Sequence, residues 1–221
     1  TYLLYIGMGQ FDYLGDKLGG TALRIVAPPG KAQHGEFALE AAKKFLGFYE
    51  KYFGINYPLP KLDLIAVPDF GSGAMENWGA ITFRQNRLLI DPTNDTVAAR
   101  QNVAQVVAHE LVHMWFGNLV TMEWWDDLWL NESFADWLAF KAVDAFYPEL
   151  KPWSTFLQLR VGAAYTLDSL AGSHPITCAV KSPDEINEVF DAISYSKGGL
   201  VLNMVENYVG EEAFRLGLKL Y

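Results

Sequence analysis

Residues 107–136 read VAHELVHMWFGNLVTMEWWDDLWLNESFAD, and the reading of this stretch decides the rest. His109, Glu110 and His113 form an H-E-x-x-H pattern, and Glu132 lies nineteen positions beyond the second histidine. An α-helix turns about 100° per residue, so histidines at i and i+4 leave one face a turn apart, where both imidazoles can reach a single ion. Glu110 is rotated off that pair but stays beside the ion, where a carboxylate can take a proton from water. A catalytic zinc keeps about three protein ligands and one open position, so the pair needs one more donor. Glu132 is the leading candidate. It sits in an apolar-rich segment with helical spacing, which an antiparallel arrangement would fold back against the first helix, with Gly117 marking the end of that helix. Asn131 and Asp136, either side of Glu132, are candidates to accept the outer N–H of a ligating imidazole and so fix its tautomer. The chain has only four histidines, and two of them fall in this pattern.

The 221 residues, 51% hydrophobic, are enough for one large core. Charges or glycines interrupt every apolar run well short of a membrane span, so no membrane contact is expected from this segment. A net charge of −9 argues against nucleic acid, which needs clustered Lys and Arg, and is compatible with a cationic substrate. Cys178 is the only cysteine, which excludes an internal disulfide and a thiolate zinc cluster. The chain starts at Thr1 with neither a methionine nor a signal peptide, which reads as a fragment or a processed chain. The expected location is cytoplasmic, with a secreted or membrane-anchored parent as the alternative. Asn94-Asp95-Thr96 and Asn131-Glu132-Ser133 match the glycosylation pattern, but the second contains the proposed third ligand and is read as a chance match.

Outward from the centre, residues 1–11 and 22–27 read as strands, and residues 35–53 as an amphipathic helix closed near Gly54. Residues 61–67 alternate like a strand stopped by Pro68, and residues 87–90 read as another short one. Between them, FGSGAMENWGAITF at residues 70–83 interrupts strand-like sequence with Gly71, Gly73 and Gly79. Such glycines allow another backbone to come close, as at a sheet edge that accepts a peptide, and Glu76 could then meet a positive group. Taken alone, the segment reads more readily as a glycine-rich turn with a solvated glutamate. Residues 152–170 have helical spacing, and residues 173–180 read as a loop in which His174 has no partner at ligand spacing. Ser182, Pro183 and Glu185 have the pattern of a capped helix start, and the tail from Asp191 onward, with Tyr195, Lys197, Gly198 and Gly199, reads as largely helical.

Taken together, GAMEN at 73–77, HELVH at 109–113, WLNES at 129–133 and SYSKG at 194–198 resemble the catalytic domain of the M1 zinc aminopeptidases. These are gluzincins with a thermolysin-like fold. The resemblance implies an α+β domain, a small mixed sheet packed on a mostly helical half. It implies one zinc ion held by His109, His113 and Glu132, with Glu110 as the base that activates water and returns a proton to the leaving amine. Tyr195 would donate a hydrogen bond to the tetrahedral oxyanion. Glu76 would hold the free α-amino group of a peptide, Gly73 and Ala74 would pair with its backbone, and Met75 and Asn77 belong to the same substrate-binding motif. The implied substrates are peptides with a free N-terminus.

Members of that family are normally longer. The resemblance implies that residues 1–30 hold the closing strands of a preceding β domain and the start of the catalytic domain, with residues 31–221 forming the catalytic domain itself. A helical domain would follow. On that basis the chain alone is expected to bind zinc with little activity of its own. Endopeptidase and zinc epoxide hydrolase activities are the enzyme alternatives, and a binding module with a vestigial site is the non-enzymatic one.

Overall fold

The computed structural model describes residues 4–221. Five strands form one mixed sheet: β1 (Asp12–Leu18), β2 (Thr21–Ala27), β3 (Lys61–Val67), β4 (Ala74–Met75) and β5 (Ala80–Arg84), in the order β1-β2-β3-β5-β4. The outer pairs β1–β2 and β4–β5 are antiparallel, and the inner pairs β2–β3 and β3–β5 are parallel. Parallel neighbours need a crossover, and α1 (Glu36–Phe53) provides it between β2 and β3. Its apolar residues recur every three to four positions, so Phe45, Leu46 and Tyr49 are buried. Along β2, Leu23, Ile25 and Ala27 alternate into the same core. Gly54 ends α1 with φ of 68°, a left-handed conformation that glycine adopts without strain.

The helical half begins with α2 (Val97–Val112), which Thr96 caps by accepting the Ala99 N–H. α3 (Leu128–Phe146) packs along it, with Trp137, Leu138 and Ala142 fully buried. The two helices run antiparallel, because partners rise on α3 as they fall on α2: Asn131 meets His113, whereas Asp136 lies nearest His109. The Tyr49 hydroxyl donates to the Ala108 carbonyl at 3.0 Å, tying α1 to α2 one residue before His109. α4 (Pro152–Thr155) and α5 (Gly162–Asp168) flank a π-helical stretch, Phe156–Val161. A second π-helical stretch, Ile193–Lys197, leads into α6 (Gly198–Val209), and α7 (Glu211–Leu220) completes the chain. No helix among the described residues is long and apolar enough to cross a membrane.

Several local expectations are corrected. Of the strand expected over residues 1–11, the first three positions lie outside the described residues, and residues 4–11 are irregular; pairing starts only at Asp12. Residues 87–90 are no strand. A 3-10 turn, Gln85–Arg87, directs the N–H groups of both Leu88 and Leu89 to the Gln85 carbonyl, and the apolar alternation there serves core packing. α2 ends at Val112 rather than near Gly117, because successive three-residue turns take over from Leu111 onward. The expected cap at Ser182 is absent: the following turn, Pro183–Val189, is a 3-10 helix, and Glu185 accepts instead from the Lys181 N–H.

Candidate active site

The early end of α2 has a direct chemical result. The turn past His113 delivers the Phe116 carbonyl to within 2.9 Å of His113 Nδ1, and Asn131 Oδ1 comes to 2.8 Å of the same nitrogen. Both partners are acceptors, so Nδ1 donates to them and Nε2 is the nitrogen that faces the cleft. There it lies 3.1 Å from His109 Nε2 and 3.5 Å from Glu132 Oε2, and His109 Nε2 is 3.2 Å from that same carboxylate oxygen. A tetrahedral ion with ligands at about 2.0–2.1 Å needs neighbouring donors about 3.3 Å apart, which these separations match. The donor set of two imidazoles and one carboxylate suits zinc.

Electrostatics point the same way. Burial pulls the His113 pKa down, but the carboxylates of Glu76, Glu132 and Glu110 outweigh it and hold the ring at about 10. Burial pulls Glu132 the other way, and the two histidines overcome it, leaving its carboxyl well below the usual range. The cluster calls for a positive charge at its centre. Glu110 behaves differently: burial, then the nearby Glu76 carboxylate, push it well up, and its Oε2 is buried without a hydrogen-bond partner. Oxygen and nitrogen atoms of Glu76, Glu110 and His113 all lie within 4.8 Å of one another.

These groups line a cleft of about 850 Å³ that runs from β4 to Tyr195. β4 forms the edge of the sheet, so among the described residues one side of Ala74–Met75 has no strand beside it. Nothing lies within 4 Å of where a side chain at Gly73 would begin, so the approach is open there. Glu76 follows at once, 5% exposed; its carbonyl accepts from Asn118 at 2.9 Å and its carboxylate from Asn131 at 3.3 Å. Asn77 lines the cleft but directs its amide to Thr82 and to the Met75 carbonyl, closing the turn between β4 and β5.

On the far wall, Tyr195 projects from the second π-helical stretch, its ring stacked 6.0 Å from that of His109. Burial, with the Glu132 carboxylate next, raises its pKa well above the usual value, so the hydroxyl keeps its proton at neutral pH. Asp136 stands 4.0 Å from His109 Nδ1, too far for a hydrogen bond, and its Oδ1 accepts from Arg160 at 2.6 Å instead. Arg160 lines the cleft, and sequence reasoning missed it: it is set in the first π-helical stretch, with no motif around it. His174, read as a loop residue with no partner at ligand spacing, has a structural role there: it pairs through Nε2 with Asp191 at 2.8 Å. The other oxygen of Asp191 accepts the N–H groups of Ile193 and Ser194, so this pair holds the turn that carries Tyr195.

Two histidines from one helix, a carboxylate from its antiparallel neighbour and a buried glutamate beside them are the architecture of a metallopeptidase domain. Residues 37–221 match the peptidase family M1 domain, and the chain belongs to that family. Over its whole length it is 52% identical to "Probable aminopeptidase 2" of Sulfurisphaera tokodaii, 51% to "Aminopeptidase M1-A" of Oryza sativa subsp. japonica and 49% to "Leucyl aminopeptidase" of Saccharolobus solfataricus. It spans 28%, 25% and 28% of the length of those relatives.

Proposed function

We propose that this segment is the catalytic core of a zinc-dependent aminopeptidase that removes single residues from the free N-terminus of peptides. The observation that carries this reading is Glu76. Its buried carboxylate stands within 4.8 Å of donor atoms of both Glu110 and His113, so an ammonium group held there leaves the first peptide bond, and no later one, beside the donor triad. His109, His113 and Glu132 would hold one zinc ion, and their separations support that assignment. Zinc, when bound, supplies Lewis acidity that polarises the scissile carbonyl and lowers the pKa of water to about 7.

The chain's own residues do the rest. Glu110 accepts a proton from the attacking water at its unpartnered Oε2 and delivers it to the leaving amine. The Tyr195 hydroxyl donates to the oxygen that becomes negative in the tetrahedral state. Gly73 and Ala74 offer backbone at an open sheet edge, where an extended peptide adds as a short strand, and Met75 faces its first side chain.

N-acetylation tests this reading in the full-length protein. An aminoacyl amide should be cleaved and its N-acetyl counterpart left intact, because the blocked nitrogen has no charge for Glu76 to hold. Equal cleavage of the two would assign an endopeptidase instead.

A further inference from the structure

Three consecutive residues of α3 each touch a different part of the cleft. Asn131 places Oδ1 2.8 Å from His113 Nδ1, while its Nδ2 donates to Glu76 Oε1 at 3.3 Å. Glu132 places Oε2 3.2 Å from His109 Nε2 and 3.5 Å from His113 Nε2. Ser133, fully buried, donates to the Ser194 carbonyl at 2.5 Å, next to Tyr195. Successive residues on a helix point about 100° apart, so three in a row sweep most of its circumference. One turn can therefore face the sheet edge, the metal donors and the tyrosine turn at once.

The surroundings leave this turn no slack. A side chain at Gly117 would collide with Asn131 Oδ1, and one at Gly198 would collide with Ser133 Oγ. Asn118, in the loop between α2 and α3, adds a bond to the Glu76 carbonyl at 2.9 Å, so the backbone of Glu76 is tied to that loop and its carboxylate to α3.

We propose that the turn Asn131-Glu132-Ser133 is a positioning hub that fixes the amine anchor, the metal donors and the oxyanion tyrosine relative to one another. Asn131 positions Glu76 and His113, and Ser133 positions Tyr195; the roles of those partners rest on the aminopeptidase reading. The distance from amine anchor to metal is thus set within the α2–α3 unit, and the short strand β4 does not have to define it.

The test uses the full-length, zinc-loaded protein. Asn131→Asp keeps an acceptor for His113 Nδ1 but replaces the donor to Glu76 with a carboxylate oxygen. It should retain zinc affinity, measured against a competing chelator, and raise KM for an aminoacyl amide about tenfold. Asn131→Leu removes both contacts and should also weaken zinc binding about 10- to 100-fold. Asn131→Ser serves the same purpose if the leucine variant does not fold. Ser133→Ala should leave zinc affinity and KM unchanged and lower kcat at least about tenfold, as expected for a displaced catalytic group. Equal loss of zinc affinity in both Asn131 variants, or an unchanged kcat in Ser133→Ala, overturns the hub. If the wild type cleaves free and blocked substrates alike, the functional reading fails, while the zinc contrast between the Asn131 variants still decides the hub.

Discussion

The cleft has two walls built on different principles. The α2–α3 wall takes its precision from the core: His109, His113 and Glu132 sit on helices whose opposite faces bury Val107, Leu111, Trp137 and Leu138. The wall formed by residues 152–197 has a thinner backing: Phe156, Ala164, Val189 and Ile193 are buried, but Leu157, Leu159 and Tyr165 are 64%, 60% and 72% exposed. Polar pins add to it: Arg160 ties it to Asp136 of α3, while His174–Asp191 and Lys197–Asp168 join its own segments. Packing fixes groups that must not move by fractions of an ångström, whereas pins suit a wall that, in the proposed function, meets a substrate. A metal site needs the first, because donor separations outside a narrow range cost affinity.

The contrast can be broken by substitution. The largest effect should come from Glu110→Gln, which removes the proposed proton carrier and leaves His109, His113 and Glu132 in place. Turnover should fall about 10²- to 10⁴-fold with zinc content unchanged, measured by hydrolysis of an aminoacyl chromogenic amide alongside metal analysis. Trp137→Ala follows. A cavity at this fully buried position should cost about 3–5 kcal/mol in denaturant unfolding. Leu159→Ala, on the pinned wall, should stay within about 0.5 kcal/mol, and comparable losses would erase the distinction between the walls.

Asp191→Ala probes the pins directly. It strips two N–H groups of their acceptor and His174 of its partner, so kcat should fall about tenfold through misplacement of Tyr195, with zinc affinity preserved. A further effect belongs to neither wall. Burial raises the pKa of Asp63 on β3, but hydrogen bonds from Arg24 and Lys61 overcome this and hold it below the usual value. A lowered folded pKa contributes stability above the unfolded value of about 3.9, and that contribution is lost as the pH falls through the folded value. Asp63→Asn should therefore cost on the order of 1 kcal/mol at neutral pH, and the difference from wild type should vanish in acid. Unfolding curves at both pH values check it.

The two walls also differ in how far the sequence discloses them. That His109 and His113 can reach one ion follows from their spacing alone, since helix geometry is local. Glu132 needed only an antiparallel neighbour, which the apolar spacing of its segment already implied. The pinned wall is another matter. A single π-helical turn is too short for its wider spacing to show in the apolar pattern, so nothing in residues 152–170 marks the one that orients Arg160. His174 and Asp191 stand seventeen positions apart and meet through a loop, a contact that no periodicity encodes. The strand misread at residues 87–90 is the reverse error: genuine alternation of Leu88 and Ile90 into the core, without ladder partners. Glu76 lies between these cases, since the glycines around it are equally those of an ordinary turn.

The open edge at β4 has a further consequence, for the protein's behaviour in a crowded solution. An unpaired strand edge is a template for any extended chain, including a damaged or half-made copy of the same protein. Here the exposed ladder is only Ala74–Met75, two residues long, and it ends at once in the buried side chain of Glu76. A stray strand could add too few backbone hydrogen bonds to stay, and its next residue would run into a carboxylate. The brevity of β4 leaves this edge too short to serve as a template for an aggregating strand.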